Sequence, residues 1–145
     1  MARIKVYLDN CTYNRPFDDQ SNIRIRLESE AKLYIQEKIK DKQIDLVWSS
    51  INGYENNDNP SQEKQERIVE WKKYAVQQCH LNEKILEKAL EFQSKKLRAK
   101  DALHIAAAIF CECDYFITTD RKILNKDIKG VLVVSPIVFV EEYLG

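Results

Sequence analysis

The chain has 145 residues, 44% apolar and 32% charged, with Lys+Arg and Asp+Glu equal at 23 each. That size and mixture describe one soluble globular unit with a real core, not a disordered chain. Charge balance rules out a strongly basic surface overall, but it allows clustered acids in one place with basic residues ranged around them.

The opening MARIKVYLDN has no basic stretch followed by a long apolar core, so no signal peptide is expected and the expected address is the cytoplasm. The longest apolar region, Val131 to Val140, is broken by Ser135 and Pro136 and is too short to span a bilayer, so no membrane association is expected. Cys11, Cys79, Cys111 and Cys113 show neither a disulfide-framework spacing nor a CxxC pair, and Cys111-Glu112-Cys113 reads as two thiols at a buried helix end. With three Gly, three Pro, no repeat and no linker-like tract, residues 1–145 read as a single domain.

In chain order, Ile4 to Leu8 is the first short β-rich run. Ile23, Leu27, Ala31, Ile35 and Ile39 recur every fourth residue and predict a helix with an apolar stripe. Ile44 to Trp48 is a second strand. Asn59-Pro60-Ser61-Gln62 offers an N-cap, a Pro for the first helical position and a capping-box Gln, ahead of Ile68, Trp71 and Ala75 at helical spacing. Ala75 to Cys79 is a weaker strand candidate. Asn82 caps a helix carrying Leu86, Ala89, Leu90, Gln93 and Leu97. Ala102 to Phe110, almost wholly apolar, predicts a helix lying close on a sheet. Tyr115 to Thr118 and Val131 to Val134 complete the strands. Strands alternating with helices imply an α/β fold with a parallel sheet covered on both faces. In such sheets ligands bind beyond the carboxyl ends of the strands, where the strand order reverses.

Acids stand at those ends. Asp9 follows Val6-Tyr7-Leu8 directly, Asp120 follows Phe116-Ile117-Thr118-Thr119, Glu55 lies shortly after Val47-Trp48, and Asp101 opens the Ala-rich helix. A carboxylate beside a core strand is costly unless it is paired or binds a cation, and several together repel one another. Mg²⁺ or Mn²⁺ would relieve that repulsion, leave positions for water and phosphate, and support hydrolytic phosphoryl transfer. Each acid also has a plainer reading, as a turn former, a cap or a charge favoured by a helix N-terminus.

Other residues carry paired readings. His104, one helical turn after Asp101, faces the same site or is a core histidine bonded to backbone. Arg15 is a fork for phosphate or a solvated loop residue. Lys95, Lys96, Arg98 and Lys100 line a groove guiding a nucleic acid, or form the charged end of a surface helix. Thr118 bonds a water near the metal, or is a good strand former. Asn56, Asn57 and Asn59 serve the turn before a helix.

The segments Val6-Tyr7-Leu8-Asp9-Asn10, Ser50 to Glu55, KDALHIA (100–106) and YFITTD (115–120) fall in an order and spacing that resembles the PIN-domain nucleases. The resemblance is especially to the toxin components of bacterial type II toxin–antitoxin pairs, and it runs over nearly the whole chain. The resemblance implies a three-layer α/β/α fold with a five-stranded parallel sheet of order 3-2-1-4-5. It also implies a metal-dependent endoribonuclease using Mg²⁺ or Mn²⁺, a toxin or a free-standing relative, with RNA as substrate. In family terms Asp9 is the central ligand, Asp101 and Asp120 share the metals, and Glu55 binds metal or positions the attacking water. Asn10, Arg15, Thr118 and Lys100 are the expected substrate contacts. An antitoxin protein and a homodimer are the expected partners. Asn10 and Cys11 stand where many relatives have Thr or Ser and then Asn; Asn10 keeps hydrogen-bonding capacity near the metal.

An RNA- or protein-binding module on the same fold with weak or no nuclease activity is the alternative. A haloacid-dehalogenase-type phosphatase would need a second Asp two residues after the first, where Cys11 stands.

Overall fold

Five strands lie side by side in the order β3-β2-β1-β4-β5, all parallel, in a computed structural model that describes residues 3–144. They are β1 (Ile4–Leu8), β2 (Ile44–Ser49), β3 (Gln77–Cys79), β4 (Tyr115–Ile117) and β5 (Leu132–Val134). The expected sheet and strand order are therefore those observed. β1 sits between β2 and β4, with Val6 level with Leu46 on one side and with Tyr115 on the other. The chain order reverses at β1, so its carboxyl end opens onto the crevice such sheets use for ligands.

Alternation along the central strands divides the core into two layers. Val6, Leu8, Leu46, Trp48 and Ile117 point to one face, where Tyr13, Ile35, Ile39 and Phe139 cover them. Tyr7, Val47 and Phe116 point to the other, against Ile85, Ala102, Ile105 and Ala106. The helices of the first layer are α1 (Asn10–Asn14), α2 (Ile23–Lys40) and α8 (Pro136–Leu144). The second layer holds α3 (Ser50–Asn57), α5 (Glu83–Gln93) and α6 (Ala99–Phe110). α4 (Gln62–Val69) runs on into a 3₁₀ turn before β3, and the short α7 (Arg121–Leu124) follows β4. Ala102, Ala106, Ala107 and Ala108 are fully buried, and their small side chains let α6 lie close to the sheet. Among the described residues no helix is long and apolar enough to cross a membrane.

Three expectations need correction. The stripe on α2 holds only at its far end: Ile35 and Ile39 are buried, whereas Ile23 is 62% exposed and Leu27 also faces solvent. The first half of α2 buries Glu28, Ser29 and Lys32 instead, because the turn after α1 packs there and accepts the Ser29 hydroxyl on the Arg15 carbonyl at 3.0 Å. On α5, Asn82 is the N-cap as expected, accepting from the Ile85 amide at 3.0 Å, but the helix buries Ile85, Ala89 and Phe92 while Leu86 and Leu90 are exposed. Ser61, not Asn59, caps α4; Asn59 accepts from the Ser61 amide in a turn before it. Cys111 and Cys113 do lie buried just past the end of α6.

Candidate metal centre

Asp9 directly follows β1 and caps α1, a position that its extended backbone (φ −66°, ψ 152°) and short acceptor side chain both suit. Its carboxylate accepts from the Asn10 amide at 2.8 Å, the Thr118 hydroxyl at 2.8 Å and the Cys11 thiol at 3.3 Å. At 4% exposure it is a buried charge. Burial raises its pKa; His104 and Thr118 act against that rise, and the nearby Glu55 charge adds to it.

Glu55 is delivered by α3, whose start is fixed by a capping box: the Asn52 amide donates to Ser49 Oγ at 3.1 Å, and the Ser49 amide donates to Asn52 Oδ1 at 3.0 Å. Asn52 Nδ2 also donates to Asn10 Oδ1 at 2.7 Å and to the Leu8 carbonyl at 3.1 Å, while Asn10 Nδ2 donates to the Asn52 carbonyl at 2.9 Å. These bonds lock the start of α3 to the end of β1 and set Glu55 one helical turn beyond the lock. The Asn10 amide, expected at the substrate, is committed to Asn52. Burial opposes the charge of Glu55, but its bond to His104 and the cations Lys100 and Arg98 outweigh it and hold the carboxyl below the usual range.

His104 completes the group. Its Nε2 lies 2.9 Å from Glu55 Oε1 and 3.9 Å from Asp9 Oδ1, and its Nδ1 meets the Tyr7 hydroxyl. Tyr7 in turn lies 2.6 Å from Ser49 Oγ, and burial lifts its pKa well above the ordinary phenol value, so it stays protonated. The backbone partner expected for a core histidine is thus replaced by side chains on both nitrogens. Donor atoms of Asp9, Glu55 and His104 all lie within 4.8 Å of one another.

Asp101 and Asp120 are joined differently. Arg98 Nε donates to Asp101 Oδ2 at 2.9 Å, and its Nη2 lies 3.4 Å from Asp120 Oδ2. Asp120 caps α7 by accepting from the Lys122 amide at 2.9 Å, and its own amide donates to Thr118 Oγ1 at 3.1 Å. Thr118 therefore touches both halves, donating to Asp9 and accepting from Asp120. Of the four expected acids, Asp9 and Glu55 converge with His104, while Asp101 and Asp120 flank a guanidinium. Arg98 was expected only on a basic rim; its bridge to Asp101 is a local i,i+3 pair, but the one to Asp120 spans 22 residues and no local pattern reveals it. Arg15 is committed elsewhere, to Glu28 and Asp18. Lys100 is exposed on the cleft wall beside Glu55 and Leu103.

No protein-family model matches the chain, and neither does any curated protein. Among solved structures it is similar to VapBC2 from Rickettsia felis, crystallised with a DNA fragment from its promoter. The TM-score is 0.56 at 15% sequence identity, over 90% of this chain and 97% of that one. At that identity the likeness establishes the fold, a PIN-like α/β/α arrangement.

The donor set suits a divalent ion. Two carboxylates and an imidazole nitrogen converge on one point, one carboxylate is buried against its own charge, and the histidine's far nitrogen is held by a hydrogen-bonded partner, as metal-ligating histidines are. The carboxylate oxygens suit Mg²⁺ or Mn²⁺, and the single imidazole nitrogen also admits later transition metals such as Zn²⁺ or Fe²⁺.

Proposed function

We propose that this chain is a PIN-type endoribonuclease that needs Mg²⁺ or Mn²⁺ to hydrolyse RNA phosphodiester bonds. The observation that carries this reading is the meeting of Asp9, Glu55 and His104 at the carboxyl edge of the sheet, from three separate segments. Asp9, Glu55 and His104 would hold the ion, and Asp101 and Asp120, now bridged by Arg98, would join them only if that bridge opened. When bound, the ion supplies a water of lowered pKa and offsets charge developing on the phosphate. Glu55, held ionised by its neighbours, would take a proton from the attacking water as the phosphorus–oxygen bond to the leaving group breaks. Thr118 keeps the Asp9 oxygens oriented, and Tyr7 fixes the His104 ring.

The resemblance of KDALHIA and YFITTD to toxin components supports a toxin role with an antitoxin protein as partner, and a free-standing nuclease is the other form of the same reading. The test is cleavage of single-stranded RNA with and without Mn²⁺. Asp9→Asn or Asp120→Asn abolishes metal-dependent cleavage while the circular-dichroism spectrum is unchanged. Undiminished cleavage by the double variant overturns the assignment. A second reading, an RNA- or protein-binding module, is favoured by the Arg98 bridge, which already compensates Asp101 and Asp120. Weak Mn²⁺ binding with no turnover would select it.

A further inference from the structure

The cations beside the acid cluster are unevenly spread, with Lys100 alone at one cleft and a group of them at the other. Between the α5–α6 turn and α7 lies a hollow of about 360 Å³, lined by Lys96, Arg98, Lys122, Asn125 and Lys126, with Asp101 on the wall it shares with the acids. At roughly 30 Å³ per water, that is room for about a dozen waters, enough for a hydrated phosphate group. Arg98 is engaged with Asp101 and Asp120, but among the described residues Lys96, Lys122 and Lys126 have no ion-pair partner. In a chain of zero net charge, three uncompensated ammonium groups around one concavity make a local positive field.

The hollow is built, not accidental to flexible side chains. Lys96 adopts a left-handed backbone (φ 65°), the turn that brings the following Leu97 into the core as its floor. Lys95 Nζ donates to the Asp127 carbonyl at 3.0 Å and ties that turn to the segment after α7. The cleft on the opposite side of Glu55 is different in kind. It is lined by Ile51, Tyr54, Leu81 and Leu103, with Lys100 as its single cation.

We propose that the hollow bounded by Lys96, Lys122 and Lys126 is a subsite for the phosphodiester backbone of single-stranded RNA, holding phosphates that flank the scissile one. The substrate strand then leaves the acid cluster past Arg98 and over α7, not across the apolar cleft. This rests on the RNA-cleaving reading above, but its test needs neither metal nor turnover.

The probe is a fluorescently labelled single-stranded RNA titrated with the protein in EDTA, with anisotropy recorded over a range of salt concentrations. Each phosphate that the protein no longer neutralises takes about 0.7 off the slope of log affinity against log salt. The triple variant Lys96→Gln/Lys122→Gln/Lys126→Gln should therefore bind on the order of tenfold more weakly at moderate salt, with a slope shallower by about 2. A control triple of exposed cations elsewhere, Arg26→Gln/Lys42→Gln/Lys84→Gln, should leave both unchanged. Unaltered affinity and slope in the first triple overturn the proposal, and so does an equal loss in the control, which would mean diffuse attraction with no subsite. If the lysines matter for binding while the wild type never cleaves, the nuclease reading fails and the subsite survives. If cleavage is Mn²⁺-dependent but the lysines are irrelevant, the reverse holds.

Discussion

Asp9 and Glu28 are both buried carboxylates, and their surroundings are opposites. Glu28, 1% exposed on α2, has two arginines: Arg15 Nε at 3.0 Å and Arg24 Nε at 3.6 Å. Asp9 has a second acid, Glu55, close enough to share an ion with it, and His104 at 3.9 Å, while the cations Lys100 and Arg98 act on Glu55 from the cleft wall. A buried acid matched by cations holds the fold together; one set beside another acid raises the free energy of the fold until something positive arrives. The cleft is where this protein keeps charge unresolved, and α2 is where it resolves it.

Stability measurements break this contrast most directly. Glu28→Gln leaves Arg15 with Asp18 alone and Arg24 without its carboxylate, and because both arginines reach solvent it should cost about 2 kcal/mol, roughly a 6 °C drop in Tm for a chain of this size, with Mn²⁺ binding retained. Asp9→Asn should do the reverse: Mn²⁺ binding lost, Tm held or raised at neutral pH. The sign follows from linkage. Burial lifts the Asp9 pKa above its unfolded value, so ionisation costs stability as pH rises through the folded pKa, and the amide escapes that cost. Calorimetry of both variants with and without Mn²⁺ decides it. If Asp9→Asn unfolds as readily as Glu28→Gln, both carboxylates are structural.

The contrast also marks what the amino-acid order alone could disclose. The sheet was legible because its strands are short β-rich runs set between helical patterns, and Asp9 stands out because it directly follows such a run, whereas Asp120, read the same way, caps α7 and meets Arg98. His104 was legible only as one of two readings, facing the site or bonded to backbone in the core, because its partners Glu55 and Tyr7 are 49 and 97 residues away and only the fold brings them together. The α2 stripe misled for a related reason. Periodicity identifies a helix and an apolar face, but the neighbouring turn chose a different face, the one carrying Glu28 and Lys32. Asn10 next to Asp9 suggested a substrate contact, whereas its amide fastens α1 to α3, a pairing with Asn52 invisible without the crossover.

Lys32, one turn after Glu28, sharpens the comparison with a third kind of buried charge. Its ammonium has aromatic faces for company, with the Tyr13 and Trp71 ring centroids 5.8 and 5.9 Å away, and among the described residues it has no carboxylate partner. Burial pulls its pKa down to about 7. Between that value and the unfolded 10.5, the unfolded chain binds the extra proton, so stability should climb as pH rises from 7 toward 10, with a slope approaching about 1.4 kcal/mol per pH unit. Lys32→Met should flatten this rise and gain stability below pH 7. A wild-type profile without the rise, measured by urea unfolding at several pH values, would mean the amine reaches water.

The smallest effect tests whether the cleft's unresolved charge is held in place from behind. Tyr7 is wholly buried and stacked on Phe116, with ring centroids 5.4 Å apart, so Tyr7→Phe keeps the packing and deletes one hydroxyl. The cost in stability should be about 1 kcal/mol, because Ser49 Oγ retains Asn52 as a partner. His104 has no such substitute at Nδ1, and a ring freed at its back loses the orientation that aims Nε2 at Glu55 and Asp9. Losing a bond of this kind behind a metal ligand weakens metal binding by about 10- to 100-fold. Mn²⁺ affinity should therefore fall far more than a loss of about 1 kcal/mol in stability would suggest, while Thr118 still holds Asp9. Unchanged Mn²⁺ affinity in Tyr7→Phe would show that His104 stands beside the ion without binding it, leaving the two carboxylates to hold it alone.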